Sequence, residues 1–110
     1  ETFVKISNIV IYRGKYIEFD AKETNSKTSF PLTNIHNHQI EHIKNILSYK
    51  GITFLIIRFN LLNKTYILEG KQLIDFINKE ERKSIPIDFF DKNCKKIDIK
   101  FLYEAQSFQN

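Results

Sequence analysis

Ile17-Glu18-Phe19-Asp20-Ala21-Lys22-Glu23-Thr24 is the stretch whose reading decides the fold. Ile17, Phe19 and Ala21 alternate with Glu18, Asp20 and Lys22, the period-2 pattern of an extended strand. On that reading the first set is buried, and the second presents two carboxylates and an ammonium together on the other face. Asp20 and Lys22 suit metal-dependent phosphodiester hydrolysis. A carboxylate holds a hard divalent cation through oxygen, and an ammonium neutralises phosphate charge or polarises the attacking water. Acids and lysines also alternate on ordinary solvated strand faces, and the triplet alone does not separate the two readings.

Upstream, Phe3 to Tyr12 is rich in Val, Ile, Phe and Tyr, and Arg13-Gly14 supplies a tight turn. This predicts a β-hairpin with the acid-x-Lys face on its second strand. Pairing brings Lys5, Ser7 and Asn8 near the same edge without fixing the register. Downstream, Glu23 to Thr33 is polar, and Pro31 argues against regular structure at Phe30, so a loop dense in hydroxyls and amides is expected beside the candidate site.

Between Asn34 and Tyr49 the period becomes helical, with Ile35, Ile40, Ile43, Ile46 and Leu47 on one stripe and Gly51 as the expected C-terminal cap. Gln39 lies one turn before Ile43, on the edge of the inward stripe, where its amide should face something. Ile52 to Asn60 is nearly all apolar and reads as a central strand buried on both sides. Thr65 to Glu69 follows as a strand, Lys71 to Lys79 as a short amphipathic helix, Ile87 to Asn93 as a helical turn and Ile97 to Tyr103 as a last strand. The order predicts an α/β (α+β) domain with a small mixed central sheet flanked by helices.

The 110 residues make one ordinary domain, 1–110, long enough to hold a core, and 42% hydrophobic with 27% charged residues exclude a disordered tract. The longest apolar run, Ile52 to Ile57, is too short to cross a bilayer, so no membrane is expected and the chain is placed in the cytoplasm. A single cysteine, Cys94, cannot staple the fold and reads as incidental. Methionine is absent even at position 1, so the chain is expected to be a piece of a longer protein.

Seventeen Lys and Arg against thirteen Asp and Glu give a net charge of +4, which permits a polyanionic partner without requiring one. Lys15, Lys22 and Lys27 flank the acid-x-Lys strand and its loop, while Lys79, Arg82, Lys83, Lys92, Lys95 and Lys96 gather later. Either group suits phosphate contact, and either suits a solvated face. His36, His38 and His42 invite a zinc reading, but Gln39-Ile40-Glu41 between the last two is not the metalloprotease arrangement, and solvated or substrate-facing histidines are expected instead. Gly14, Gly51 and Gly70 are too far apart for a phosphate-cradling loop.

Tyr16 to Thr24, followed by Lys27-Thr28-Ser29-Phe30-Pro31-Leu32 and His38-Gln39-Ile40-Glu41-His42, resembles the RecU-type Holliday junction resolvases of the restriction-endonuclease-like, PD-(D/E)xK nuclease superfamily. The similarity continues through Lys83-Ser84-Ile85-Pro86 into the last strand. The resemblance implies a bacterial, cytoplasmic, homodimeric endonuclease that requires Mg²⁺ or Mn²⁺. Its substrate is branched DNA, the four-way junction, during recombination and repair, and a recombinase is an implied partner. Asp20 is then the metal ligand, joined by the backbone carbonyl of Ala21. Lys22 orients or activates the water, Gln39 positions the scissile strand, and Lys15, Lys27, Thr28 and Ser29 are candidates for DNA contact. Cleavage leaves a 5′-phosphate and a 3′-hydroxyl.

Two departures qualify the expectation. The family's second metal-binding aspartate falls, counting back from Asp20, at Ser7, a neutral hydroxyl and a poor ligand for a hard cation. The chain is also expected to lack the family's N-terminal helix and stalk region. The alternative is therefore a catalytically impaired homologue that keeps the fold, the dimer contact or the DNA-binding surface.

Overall fold

A computed structural model describes residues 7–98. Strand β1 (Ser7–Tyr12) turns through Arg13 and Gly14 into β2 (Lys15–Thr24). Both turn residues have positive φ, 51° and 77°, as a two-residue hairpin requires. The expected start of the first strand, Phe3 to Ile6, lies outside the described residues. After β2 come β3 (Ser29–Pro31), a 3-10 turn over Leu32–Asn34, α1 (Asn37–Ser48), β4 (Ile52–Phe59), a second 3-10 turn over Asn60–Leu62, β5 (Lys64–Glu69), α2 (Gly70–Lys79), β6 (Ser84–Pro86), α3 (Ile87–Asn93) and β7 (Lys95–Ile97). The last strand begins two residues earlier than expected, and its expected continuation past Asp98 is outside the described residues.

The main sheet has five strands in the order β1-β2-β4-β5-β7, parallel between β2 and β4 and antiparallel elsewhere. This is the mixed sheet the element order implies. Its centre is buried on one face, not two. Along β4 the residues Thr53, Leu55, Ile57 and Phe59 are buried while Phe54, Ile56 and Arg58 are only partly covered. All three helices pack over the buried face, and Phe19 and Phe54 stack on the other with centroids 5.2 Å apart.

The expectation for β2 is corrected in the same way. Its alternation is present, but Asp20 and Thr24 are its buried residues, and Ile17, Phe19 and Ala21 are half-buried. Register explains this: Asp20 pairs with Leu55, so Asp20 shares the helix-covered face with the core residues of β4. The supposed presented face is the inner one.

Two further corrections concern loops. The residues around Pro31 are not irregular, because Ser29, Phe30 and Pro31 pair with Pro86, Ile85 and Ser84 in a separate two-stranded sheet that buries Phe30 and Ile85 completely. Each proline sits at the end of this short ladder, where a missing N–H is tolerated. Gly51 is not the left-handed cap of α1, since Lys50 takes that role at φ 63°. Glycine is needed at 51 for closeness: a Cβ there would lie 2.8 Å from Ile46 Cγ2, and the Gly51 N–H donates to the Ile46 carbonyl at 2.9 Å.

The core is aromatic at the far end of the sheet. Phe90 of α3 packs against Phe59 of β4 and Tyr66 of β5 with centroids 5.3 Å from each, and Phe89 meets Phe76 of α2. The Tyr66 hydroxyl donates to Asp91, and burial followed by that bond pushes the phenol well above its usual range. Cys94 is partly buried, and its burial raises the thiol to about 11, so it is an unreactive thiol at neutral pH.

Candidate active site

The parallel step from β2 to β4 lays α1 across the inner face of β2, and the residues that meet there are polar. Gln39, expected on the edge of the inward stripe, points at the strand. Its Nε2 donates to Asp20 Oδ2 at 3.1 Å, and its Oε1 accepts from Lys22 Nζ at 3.2 Å and from the backbone N–H of His36 at 3.1 Å. One amide thus caps its own helix and ties together the acid and the lysine of β2.

Asp20 is 7% exposed, and its carboxylate is compensated on three sides. Oδ1 accepts the Ala21 N–H at 2.8 Å, Oδ2 accepts Gln39, and the Lys22 ammonium lies 3.6 Å from Oδ2. A charge buried to this extent is retained only with such partners. The Lys22 ammonium is held by the same carboxylate and amide, so its position is fixed before any ligand arrives.

The carboxylate opens into a cavity of about 200 Å³ whose lining includes Glu18, Asp20, His38, Gln39, His42 and Thr53. Glu18, one step along β2, accepts from the Tyr16 hydroxyl at 2.6 Å, and both its oxygens lie 2.9–3.0 Å from His42 Nε2. The bond to Glu18 pushes the Tyr16 phenol above its usual range, so it stays a donor. His36 and His38 stack with centroids 5.5 Å apart. Among the described residues no three His, Cys, Asp or Glu side chains converge on a metal position.

The remaining candidates are distributed as follows. Ser7, expected at the position of the family's second aspartate, is directly opposite Asp20 in the β1–β2 ladder, a register the sequence left open. Lys27 and Thr28 are exposed and Ser29 half-buried, in the loop and short strand that follow Thr24. That loop is ordered by hydroxyls: Thr24 Oγ1 accepts from Ser26 N, and Ser26 Oγ accepts from the N–H groups of Thr28 and Ser29. Asn60 clamps its start by donating to Glu23 Oε1 at 2.8 Å and to Asn25 Oδ1 at 3.1 Å. Lys15 is not brought to the cluster. It begins β2, five residues before Asp20 and on the opposite face, roughly 17 Å away along the strand.

The Glu18–His42 contact was not legible in advance. The available signal was that Glu18 precedes Asp20 by two residues while His42 follows Gln39 by three, so a helix antiparallel to the strand matches both pairs.

A mixed sheet whose second strand carries Asp20 and Lys22 beneath a helix carrying Gln39 is a restriction-endonuclease-like nuclease fold. The chain belongs to the RecU family, described as Recombination protein U, whose pattern it matches over residues 7–106. It is 56% identical over 79 residues to the Holliday junction resolvase RecU of Geobacillus kaustophilus, an alignment that covers 69% of this chain and 40% of that protein. It is 52% identical over 81 residues to the Holliday junction resolvase RecU of Oceanobacillus iheyensis, covering 71% and 41%. The protein of the same name from Bacillus cytotoxicus is 53% identical over 78 residues, covering 68% and 39%. The chain therefore matches about two fifths of the length of these curated relatives.

Proposed function

We propose that the chain carries the phosphodiester-hydrolysing site of a Holliday junction resolvase, acting on four-way DNA junctions in recombination and repair, as a homodimer. The observation that carries this reading is the contact of Gln39 with both Asp20 and Lys22, which gathers an acid, a cation and an amide, the acid and the amide lining one partly enclosed cleft.

The donor set at the cleft suits a hard divalent cation. A carboxylate has about four lone-pair positions, and Asp20 spends two on N–H donors, so each oxygen keeps one. Mg²⁺ is commonly held by one or two carboxylates together with water and substrate phosphate oxygens. Asp20 would hold it, with the Ala21 carbonyl and the Ser7 hydroxyl as weaker neutral oxygens. Bound there, Mg²⁺ or Mn²⁺ supplies Lewis acidity towards the phosphoryl oxygen and acidifies water.

The protein's own residues do the rest. Lys22 places a positive charge where negative charge grows on phosphorus-bound oxygens, and Gln39 restrains both Lys22 and Asp20 so that little reorganisation accompanies the reaction. Lys27, with the Thr28 and Ser29 hydroxyls, offers phosphate contacts beyond the end of β2. Lys15, on the other face, would have to meet a different DNA arm.

The test is cleavage of an end-labelled four-way junction in Mg²⁺, beside a linear duplex of the same sequence. Symmetric nicks confined to the junction are expected. Junction binding without metal-dependent nicks would establish the impaired homologue instead, and equal cutting of duplex and junction would overturn the structure-specific reading.

A further inference from the structure

The pairing of Glu18 with His42 is not used by the proposed hydrolysis, although both residues line the same cleft as Asp20. Strand and helix run so that two rungs connect them: Asp20 and Lys22 meet Gln39, and Glu18 meets His42. The step between rungs, two residues of β2, is roughly 6.6 Å, comparable to the separation of neighbouring phosphates along one nucleic-acid strand.

The second rung is asymmetric. The Glu18 side chain is 12% exposed and that of His42 is 53% exposed, so the carboxylate is hidden behind the ring and the ring faces outward. With both carboxylate oxygens on Nε2 and the Tyr16 hydroxyl on Oε1, the carboxylate is held from two sides and the ring is oriented. Nε2 against a carboxylate must carry a proton. Any contact from the ring to a ligand is then made by Nδ1, and if that ligand is a phosphate oxygen, Nδ1 must be protonated as well. The ring then binds as an imidazolium between two anions, Glu18 behind and phosphate in front. His38, one helical turn before His42, lines the same cleft.

We propose that Glu18 and Tyr16 hold His42 as the contact for the phosphate next to the scissile one, a second phosphate subsite on the strand that enters the cleft. This rests on the phosphodiesterase reading of Asp20 and Lys22. The subsite fixes the register of the strand, because a phosphate seated at His42 leaves its neighbour at Asp20.

The experiment is fluorescence anisotropy of a labelled four-way junction in Ca²⁺, with affinity measured across a salt series for the parent chain, His42→Ala and His42→Lys. The salt slope counts phosphate contacts, which a purely structural ion pair does not change. Loss of the subsite should make the slope shallower by about 1 in His42→Ala, and the cation in His42→Lys should restore it. An unchanged slope in His42→Ala overturns the subsite while leaving the proposed function standing. A shallower slope that His42→Lys fails to restore also overturns it, by assigning the loss to local structure. A parent chain that does not bind the junction overturns both readings.

Discussion

Lys22→Ala is expected to lower the rate of metal-dependent junction cleavage by about 10²–10³-fold, the usual loss when one preorganised electrostatic group is removed from a reacting centre. Lys22 is the cation nearest the buried carboxylate and is fixed by the Gln39 amide as well. Its removal leaves Asp20 with two hydrogen bonds, from the Ala21 N–H and from Gln39 Nε2, so the carboxylate remains satisfied and the fold should persist. Single-turnover cleavage measured beside the circular-dichroism melt separates the two effects. The expected pattern is a large rate loss with a small shift in Tm and little change in junction affinity. Equal loss of rate, fold and binding would mean that Lys22 acts as a structural partner of Asp20 and not on the substrate.

The largest expected effect on stability is that of Phe90→Ala, which should cost about 3–5 kcal/mol. Phe90 is wholly buried and joins α3 to the sheet through Phe59 and Tyr66, whose rings lie 5.3 Å from its own. Such a loss is a large share of the roughly 5–15 kcal/mol that hold a domain together. Because α3 also follows β6 directly, loosening it should weaken the β3–β6 pairing. Urea unfolding followed by far-ultraviolet circular dichroism would show a strongly lowered midpoint with an unchanged slope. A cost below about 1 kcal/mol would show that this aromatic group is not what holds α3 in place.

What the sequence made legible and what it hid divide along a physical line. Period-2 alternation located β2, helical periodicity located α1 and α2, and an apolar run located β4, because those signals are local. The side on which β2 is buried was read backwards, because hydrophobicity ranks Phe19 above Asp20. In the folded chain α1 lies over Asp20, and Lys22, Gln39 and the Ala21 N–H make the buried carboxylate tolerable. The same local view treated Pro31 as a break, since its partner Ser84 is far along the chain and no short-range pattern announces their pairing. Gly51 was visible as a glycine but not as a contact, because its reason is the Ile46 side chain packed where a Cβ would stand. Gln39 was legible as a polar residue on an inward edge. That it meets both Asp20 and Lys22 follows from how the helix crosses the strand, which only the assembled fold supplies.

Ser7 ties the sequence reading to the structure most tightly. Counting along the chain placed it where the family has an aspartate, and the ladder pairs it with Asp20, so the hairpin puts both positions on the same face of the sheet. With a hydroxyl there, Asp20 would be the charged member of the proposed ligand pair. The metal site is therefore expected to be weak rather than absent, and it should gain strength when charge is restored.

Titration calorimetry of Mn²⁺ into the chain, compared with Asp20→Asn and Ser7→Asp, tests most directly whether Asp20 anchors a divalent cation. Asn keeps the side-chain shape and an oxygen for the Ala21 N–H while removing the charge, so Mn²⁺ binding should vanish; its amide nitrogen replaces the oxygen that accepts from Gln39, so a thermal melt beside the titration checks that the fold persists. Ser7→Asp should bind Mn²⁺ more tightly than the parent chain. Binding to Asp20→Asn that matches the parent, with no gain in Ser7→Asp, would place any metal elsewhere and contradict the site built on Asp20, Lys22 and Gln39.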